Sequence, residues 1–243
     1  MSDLPTDTDL PSATKHASPP LALLAIVYTV LFLAGLYPVT VFGGQPHFPG
    51  PWEPADALVA FFRSRPNAVL ACAFLQFGAA IPLGLFVATS VSRLHFLGVR
   101  AAGATIALFG GLATAFDMLA TASVLWVMAI PGLAADGAVV RALYYLAFVL
   151  GGPGFSVPLG LFLAGVSITA AFYRLLPKWI VVLGLVLATA GELSWFSLVV
   201  PGALFLIPLT RFPSFVWLIA AGVALPTSAA AARARQVPAV AAR

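Results

Sequence analysis

The chain has 243 residues, of which 61% are hydrophobic and only 8% charged. A soluble domain carries about a quarter charged residues, so there is too little polar surface here to cover a water-exposed globule, and most of the outside must face lipid. The formal net charge of +4 does not point to nucleic acid, because the basic residues are spread over short loops and the C-terminal tail, with no basic block interleaved with aromatics.

Residues 1–20 are polar, Pro-rich and acidic. They lack the basic start of a signal peptide and read as a disordered cytoplasmic tail. Leu21 to Phe42 is the first apolar run long enough to cross a hydrocarbon core of about 30 Å. An outer loop, 43–66, follows, with Pro46, Pro49, Pro51 and Pro54. Inside it Pro54 can open a short helix. Leu58, Phe61 and Phe62 then fall at i, i+3, i+4 ahead of Arg63 and Arg65, which is an amphipathic piece for the membrane interface.

The second span is read at Asn67 to Ser92 and the third at Ala101 to Met128. The fourth covers Val139 to Tyr173 and contains Gly151-Gly152-Pro153-Gly154, a cluster that breaks or kinks a helix. The fifth runs from Trp179 to Val200, and the sixth from Ala203 to Leu225 with interruptions at Pro208 and Pro213. Residues 227–243, Ala-rich with three arginines, read as a second loose cytoplasmic tail. The fold expected is all-α: one polytopic transmembrane helical bundle of about six spans over residues 21–226.

With six spans and both ends inside, the cytoplasmic side holds Lys15, Arg93, Arg100, Arg174, Lys178, Arg233, Arg235 and Arg243. The outer side holds Arg63, Arg65, Arg141 and Arg211. The excess inside sets the orientation. The stretch GAAIPLGLFVA from Gly78 to Ala88 matches GFSVPLGLFLA from Gly154 to Ala164, the same residue standing at seven of eleven positions. The copies lie in spans that run the same way, and each leads into a basic turn and a span with one carboxylate. That pattern suggests an internal repeat of a two-helix unit.

An ionisable side chain inside a bilayer costs about 2.5–3.5 kcal/mol on insertion scales, so it pairs or faces a cavity. Asp117 and Glu192 are the two intramembrane carboxylates. Thr114, Asp117 and Thr121 share one helical face, as do Thr189, Glu192 and Trp195. Gln76, Arg141 and Arg211 fall in the same outer half. Two readings follow. Either these residues line an outward-facing polar pocket, with Asp117 and Glu192 as its charged floor under the loop carrying His47, Trp52 and Glu53, or they form ion pairs, Asp117 with Arg141 and Glu192 with Arg211, that fix helix packing.

Several chemistries are excluded. The only histidines, His16, His47 and His95, sit in tails and loops and cannot ligate a haem within the spans. Neither lysine, Lys15 or Lys178, is placed for a retinal Schiff base. No zinc pattern or serine-hydrolase motif is present, the single Cys72 allows no intrachain disulfide and reads as core packing, and no cofactor or metal is implied.

The stretch from Gly151 to Pro226, with GGPGFSVPLGLFLAG, FYRLLPKW and LIPLTRFPSFVWLIAAG, resembles a domain-of-unknown-function family of small bacterial polytopic membrane proteins (number 4386), and the resemblance extends over most of residues 21–226, including FLQFGAAIPLG and SRLHFLGVRAAG. The resemblance implies about six spans in a bacterial inner membrane. It implies no catalytic residues. Three roles stay open on the sequence: a protein that binds or transports a small or lipidic ligand, an accessory subunit of a larger membrane complex, and an intramembrane enzyme using Asp117 and Glu192 as acid and base. The first is favoured, and a non-enzymatic role with it. The partners expected are the lipid bilayer, a small-molecule or lipid ligand and a membrane protein partner, with no nucleic acid.

Overall fold

The computed structural model describes residues 15–236. The tails expected at 1–14 and 237–243 lie outside the described residues. Helix accounts for every regular element among the described residues: α1 (Leu21–Leu36), α2 (Ala55–Ser64), α3 (Pro66–Phe96), α4 (Ala102–Met128), α5 (Gly137–Gly151), α6 (Pro153–Phe172), α7 (Lys178–Leu193), α8 (Leu206–Ala224) and α9 (Ala229–Gln236).

Among the described residues, six stretches are long and apolar enough to cross a membrane. They are α1, α3, α4, the pair α5–α6, α7 with a following 3₁₀ turn, and α8 with a preceding one. Spans neighbouring in sequence are neighbours in space: α1 packs on α3, α3 on α4, α4 on α6, α6 on α7, α7 on α8, and α8 closes the ring on α1. Large apolar rings point outward, Phe74, Phe109 and Phe116 among them. Water would not tolerate so much exposed apolar surface, and lipid requires it.

Local chemistry explains the element ends. Pro66 and Pro153 stand at the first helical position of α3 and α6, where the missing N–H has no intrahelical partner to lose. The Asp136 carboxylate accepts from the backbone N–H of Ala138 and Val139 and caps α5. Span four breaks at Gly151–Pro153, as its glycines and proline dictate. Span six behaves differently from the expectation: α8 continues through Pro208 and Pro213. Pro208 sits in the first turn, where no N–H is needed. At Pro213 the helix is held by its neighbours, and the Ser214 hydroxyl donates back to the Arg211 carbonyl at 2.6 Å.

The internal repeat has a structural counterpart. α3 and α6 run in the same direction, and both end in the same reverse turn. Gly98 closes α3 at φ 86° while Val99 N–H reaches the Leu94 carbonyl. Arg174 closes α6 at φ 52° while Leu175 N–H reaches the Ala170 carbonyl. These are Schellman closures, with buried Val99 and Leu175 packing behind them. The spacing from Gly98 to Arg174 is that from Pro82 to Pro158, from Gly84 to Gly160, and from the start of α4 to the start of α7. The copies differ before the match, where α3 is continuous and α6 follows the glycine break.

Two apolar clusters make up the interior. The larger fills the half of the bundle nearer the described chain ends, the terminal end, with fully buried Tyr28, Phe86, Phe162 and Trp217. The smaller lies at the opposite, loop end, where Phe61 and Phe62 of α2 meet Val69 of α3 and Tyr144 of α5.

The terminal end is tied down more firmly than two loose tails. His16 N–H donates to the Thr227 carbonyl. Buried Arg93 donates to Ser18 Oγ at 3.0 Å and to the Leu225 carbonyl at 3.4 Å. Arg235 on α9 reaches the carbonyls of Leu175 at 2.8 Å and Ala224 at 2.7 Å. Two arginines thus serve the unpaired carbonyls at the C-terminus of α8, where the helix dipole also favours positive charge.

Candidate functional site

The cavity lies where the two clusters meet, and it exists because span four is broken. Past Gly151–Pro153, α6 packs on α4 and α7, whereas α5 leans onto α4 and α2 instead. The splay opens a space of about 510 Å³ between the loop-end halves of α1, α3, α4, α5 and α8. Its walls are apolar: Phe32 and Leu36 from α1, Met118 and Leu125 from α4, Phe148 and Phe155 on either side of the break. The loop after α1 covers it with residues 39–42, His47 and Phe48.

That cover is built, not draped. Phe48 packs edge-on against Phe61 and Phe62, with ring centroids 5.4 and 5.7 Å away, and its N–H donates to the Val39 carbonyl at 2.8 Å. The Tyr144 hydroxyl donates to the Pro49 carbonyl at 2.6 Å. Arg65 donates to the carbonyls of Gly43 and Pro46, and Arg63 to those of Ala134 and Ala135. Arg63 and Arg65 therefore hold loop backbone.

Of the six candidate pocket residues, the fold brings Gln76 and Arg211 to this cavity, and of the other polar residues named in the sequence it brings Thr121 and His47. Arg211 lies five residues into α8, roughly 8 Å below the helix start at about 1.5 Å per residue. Its Nη2 donates to the Gly151 carbonyl, one of the groups freed by the break. Its guanidinium stands 4.5 Å from the Phe155 ring centroid and 5.5 Å from that of Phe32. Its buried Nε has no hydrogen-bond partner. Gln76 is buried, and its Nε2 donates to the Phe32 carbonyl at 3.1 Å. A carbonyl only accepts, so the amide must present its nitrogen there.

The two carboxylates do not floor the cavity; Arg211 supplies its charge. The Asp117 carboxylate on α4 sits beside Gly154, in the first turn of α6. Glu192 on α7 sits beside Gly160 of α6, with Oε1 buried and unpartnered. Asp117 reaches α6 from the side of α4 and Glu192 from the side of α7, six residues apart on α6, or roughly 9 Å of axial rise. Neither of the ion pairs that the sequence allows is formed: no salt bridge occurs among the described residues. Arg141 is exposed in a separate groove beside Asp56 and Arg63. Trp195 is exposed and stacks on Phe196, with centroids 4.5 Å apart.

Residues that the sequence did not single out complete the site. Phe32 and Phe155 set their rings against the guanidinium, and Met118 finishes the walls beside Cys72 and Thr121, which the sequence had named in other roles. Thr121 is internally satisfied, its hydroxyl donating to the Asp117 carbonyl oxygen of the backbone at 2.7 Å. Only the position of Phe155, just past the glycine break, was a signal available beforehand. Among the described residues no group of His, Cys, Asp and Glu is placed to hold a metal ion.

No family model matches this chain, and neither a curated protein nor a solved structure matches it.

Proposed function

We propose that this is a multi-pass protein of the bacterial inner membrane, with both termini in the cytoplasm, that binds a small or lipidic ligand in the loop-end cavity from the outer side. The excess of Lys and Arg at the terminal end supports the orientation. The resemblance of the Gly151–Pro226 stretch to the bacterial domain-of-unknown-function family supports the compartment.

One observation carries the ligand reading. Arg211 is a permanent cation at membrane depth, without a carboxylate partner among the described residues, and it lines an otherwise apolar cavity. Such a charge is expensive in lipid and marks a functional site by default. A volume of about 510 Å³ lies within the range of small-molecule sites, about 300–1,000 Å³. An arginine needed only to hold the Gly151 carbonyl would not require an open space beside it.

Binding is favoured over an open channel. Below the cavity the bundle is closed by Phe86, Phe162 and Trp217, whose rings follow one another at 6.2 and 5.9 Å. Acid–base catalysis by Asp117 and Glu192 is disfavoured, because a shared substrate atom would have to be within hydrogen-bond reach of both and α6 stands between them.

Native mass spectrometry of the protein released from its own membrane tests this reading, with Ala147→Phe as the comparison. Ala147 is a buried wall residue, and a ring there fills the cavity. A small molecule or lipid bound to wild type and missing from the folded variant is the expected result. Bare protein in both samples, or a partner chain retained equally by both, overturns it.

A further inference from the structure

Resting on the reading of this cavity as a ligand site, we propose that its ligand is an amphiphilic oxyanion: a carboxylate or phosphate group attached to an apolar body, the anion held by the N–H edge of Arg211 and the body lying among the aromatic walls.

The charge argument comes first. Among the described residues the cavity carries one positive charge and no negative one, since Asp117 and Glu192 both lie outside its lining. A neutral ligand would leave the guanidinium uncompensated in a low-dielectric site. A zwitterion such as a free amino acid would bring an ammonium group for which the lining offers no carboxylate. An anion alone balances the site.

The geometry agrees. Phe155 and Phe32 stand against the guanidinium, with ring centroids 4.5 and 5.5 Å from it, and one N–H of Nη2 goes to the Gly151 carbonyl. What remains is a planar edge of paired N–H groups, the second N–H of Nη2 beside its neighbour, and the Nε–H is also without a partner. That edge matches two oxygens of a carboxylate or phosphate. The two rings and the carbonyl also hold the guanidinium before a ligand arrives, so little side-chain entropy is lost on binding.

The rest of the lining selects an apolar body. Thr121 is already satisfied within α4. Gln76 has given one N–H to the Phe32 carbonyl. Most other lining groups are aliphatic or aromatic, with Thr40 and His47 at the rim. A highly hydroxylated anion, such as a sugar phosphate, would lose more hydrogen bonds to water than these walls replace.

The test is binding to the full chain in nanodiscs of phosphatidylcholine, using dodecanoate, dodecyl phosphate and the uncharged dodecanol as probes. Wild type is expected to prefer either anion over the alcohol by about tenfold or more, the scale of a charge-assisted hydrogen bond. Arg211→Gln should erase that preference, Arg211→Lys should keep part of it, and Ala147→Phe should abolish binding of all three. If Arg211→Gln does not fold, the anion-to-alcohol ratio in wild type decides. Equal binding of alcohol and anions, lost in Ala147→Phe, overturns the oxyanion while leaving the cavity a ligand site. Binding that survives in Ala147→Phe overturns both. A final arm separates the sources: displacement of dodecanoate by phosphatidylglycerol, in wild type only, supports the proposal with a lipid headgroup as the anion, and resistance to displacement supports it with a free amphiphile.

Discussion

The Arg211 guanidinium lies 4.5 Å from the centroid of the Phe155 ring while donating to the Gly151 carbonyl, so one side chain of α8 holds both sides of the break in span four. The break leaves carbonyls without helical partners in a medium that cannot solvate them. Arg211→Ala is expected to lower stability by about 1–3 kcal/mol, the cost of a buried acceptor left unsatisfied, read as a lower midpoint of thermal unfolding in detergent. Phe155→Leu, which keeps most of the apolar volume and loses the ring, should cost about 0.5–2 kcal/mol, as a cation–π contact of this burial would. Full stability in both variants would remove Arg211 from the packing of the break.

The crossing of α4 and α6 gives a second expectation. At Gly110 of α4 a methyl group would stand 2.6 Å from the Pro158 carbonyl oxygen of α6. Backbone cannot yield as a side chain can, so Gly110→Ala must push α4 and α6 apart. A loss of about 1–3 kcal/mol follows. Gly78→Ala is the control, because nothing lies within 4 Å of the added methyl; it should stay within about 0.5 kcal/mol. Equal effects in thermal unfolding would mean that α4 and α6 do not approach as described.

The spans were legible because lipid imposes a length and an apolarity that any ~20-residue window reveals, and Gly151-Gly152-Pro153 announced its own break. What escaped was whatever depends on contacts between helices. Asp117 and Glu192 stood out as intramembrane charges, but which face of α4 or α7 meets a cavity is set by the splay of α5, which no local pattern encodes. Arg211 was visible as one candidate among six; its pairing with Phe32 and Phe155 joins three helices. Pro213 suggested an interruption of α8 by local rules, and packing within the bundle overrode it. Likewise the Ala- and Arg-rich C-terminal segment carried no strong period, yet α9 is docked through Arg235.

The paired ends of α3 and α6 differ in residue at the same left-handed position. Gly98 has no Cβ to oppose φ 86°, and Arg174 holds φ 52° against one. A left-handed conformation costs an ordinary residue roughly 1 kcal/mol. Arg174→Gly is therefore expected to stabilise the protein by about that amount, and Gly98→Ala to destabilise it similarly, although space around Gly98 is open. Chemical unfolding of both variants checks the pair of opposite signs. The same sign in both would exclude the shared turn as the cause.

Orientation decides which compartment the cavity serves, and it can be read chemically. Cys72 is the only cysteine and is buried, so Cys72→Ser provides a silent background. In that background Trp52→Cys places a thiol on the exposed loop that follows the cavity cover, and Ala230→Cys places one on the exposed face of α9. Neither change alters the Lys and Arg count that sets topology. A membrane-impermeant maleimide added to intact spheroplasts should label the thiol at position 52 at once and the thiol at position 230 only after permeabilisation. The reverse pattern would put the cavity on the cytoplasmic side, where an amphiphile would be taken from the inner leaflet or the cytosol. Labelling of both from the same side would contradict the bundle itself, since α9 and the cavity cover lie at opposite ends of six spans.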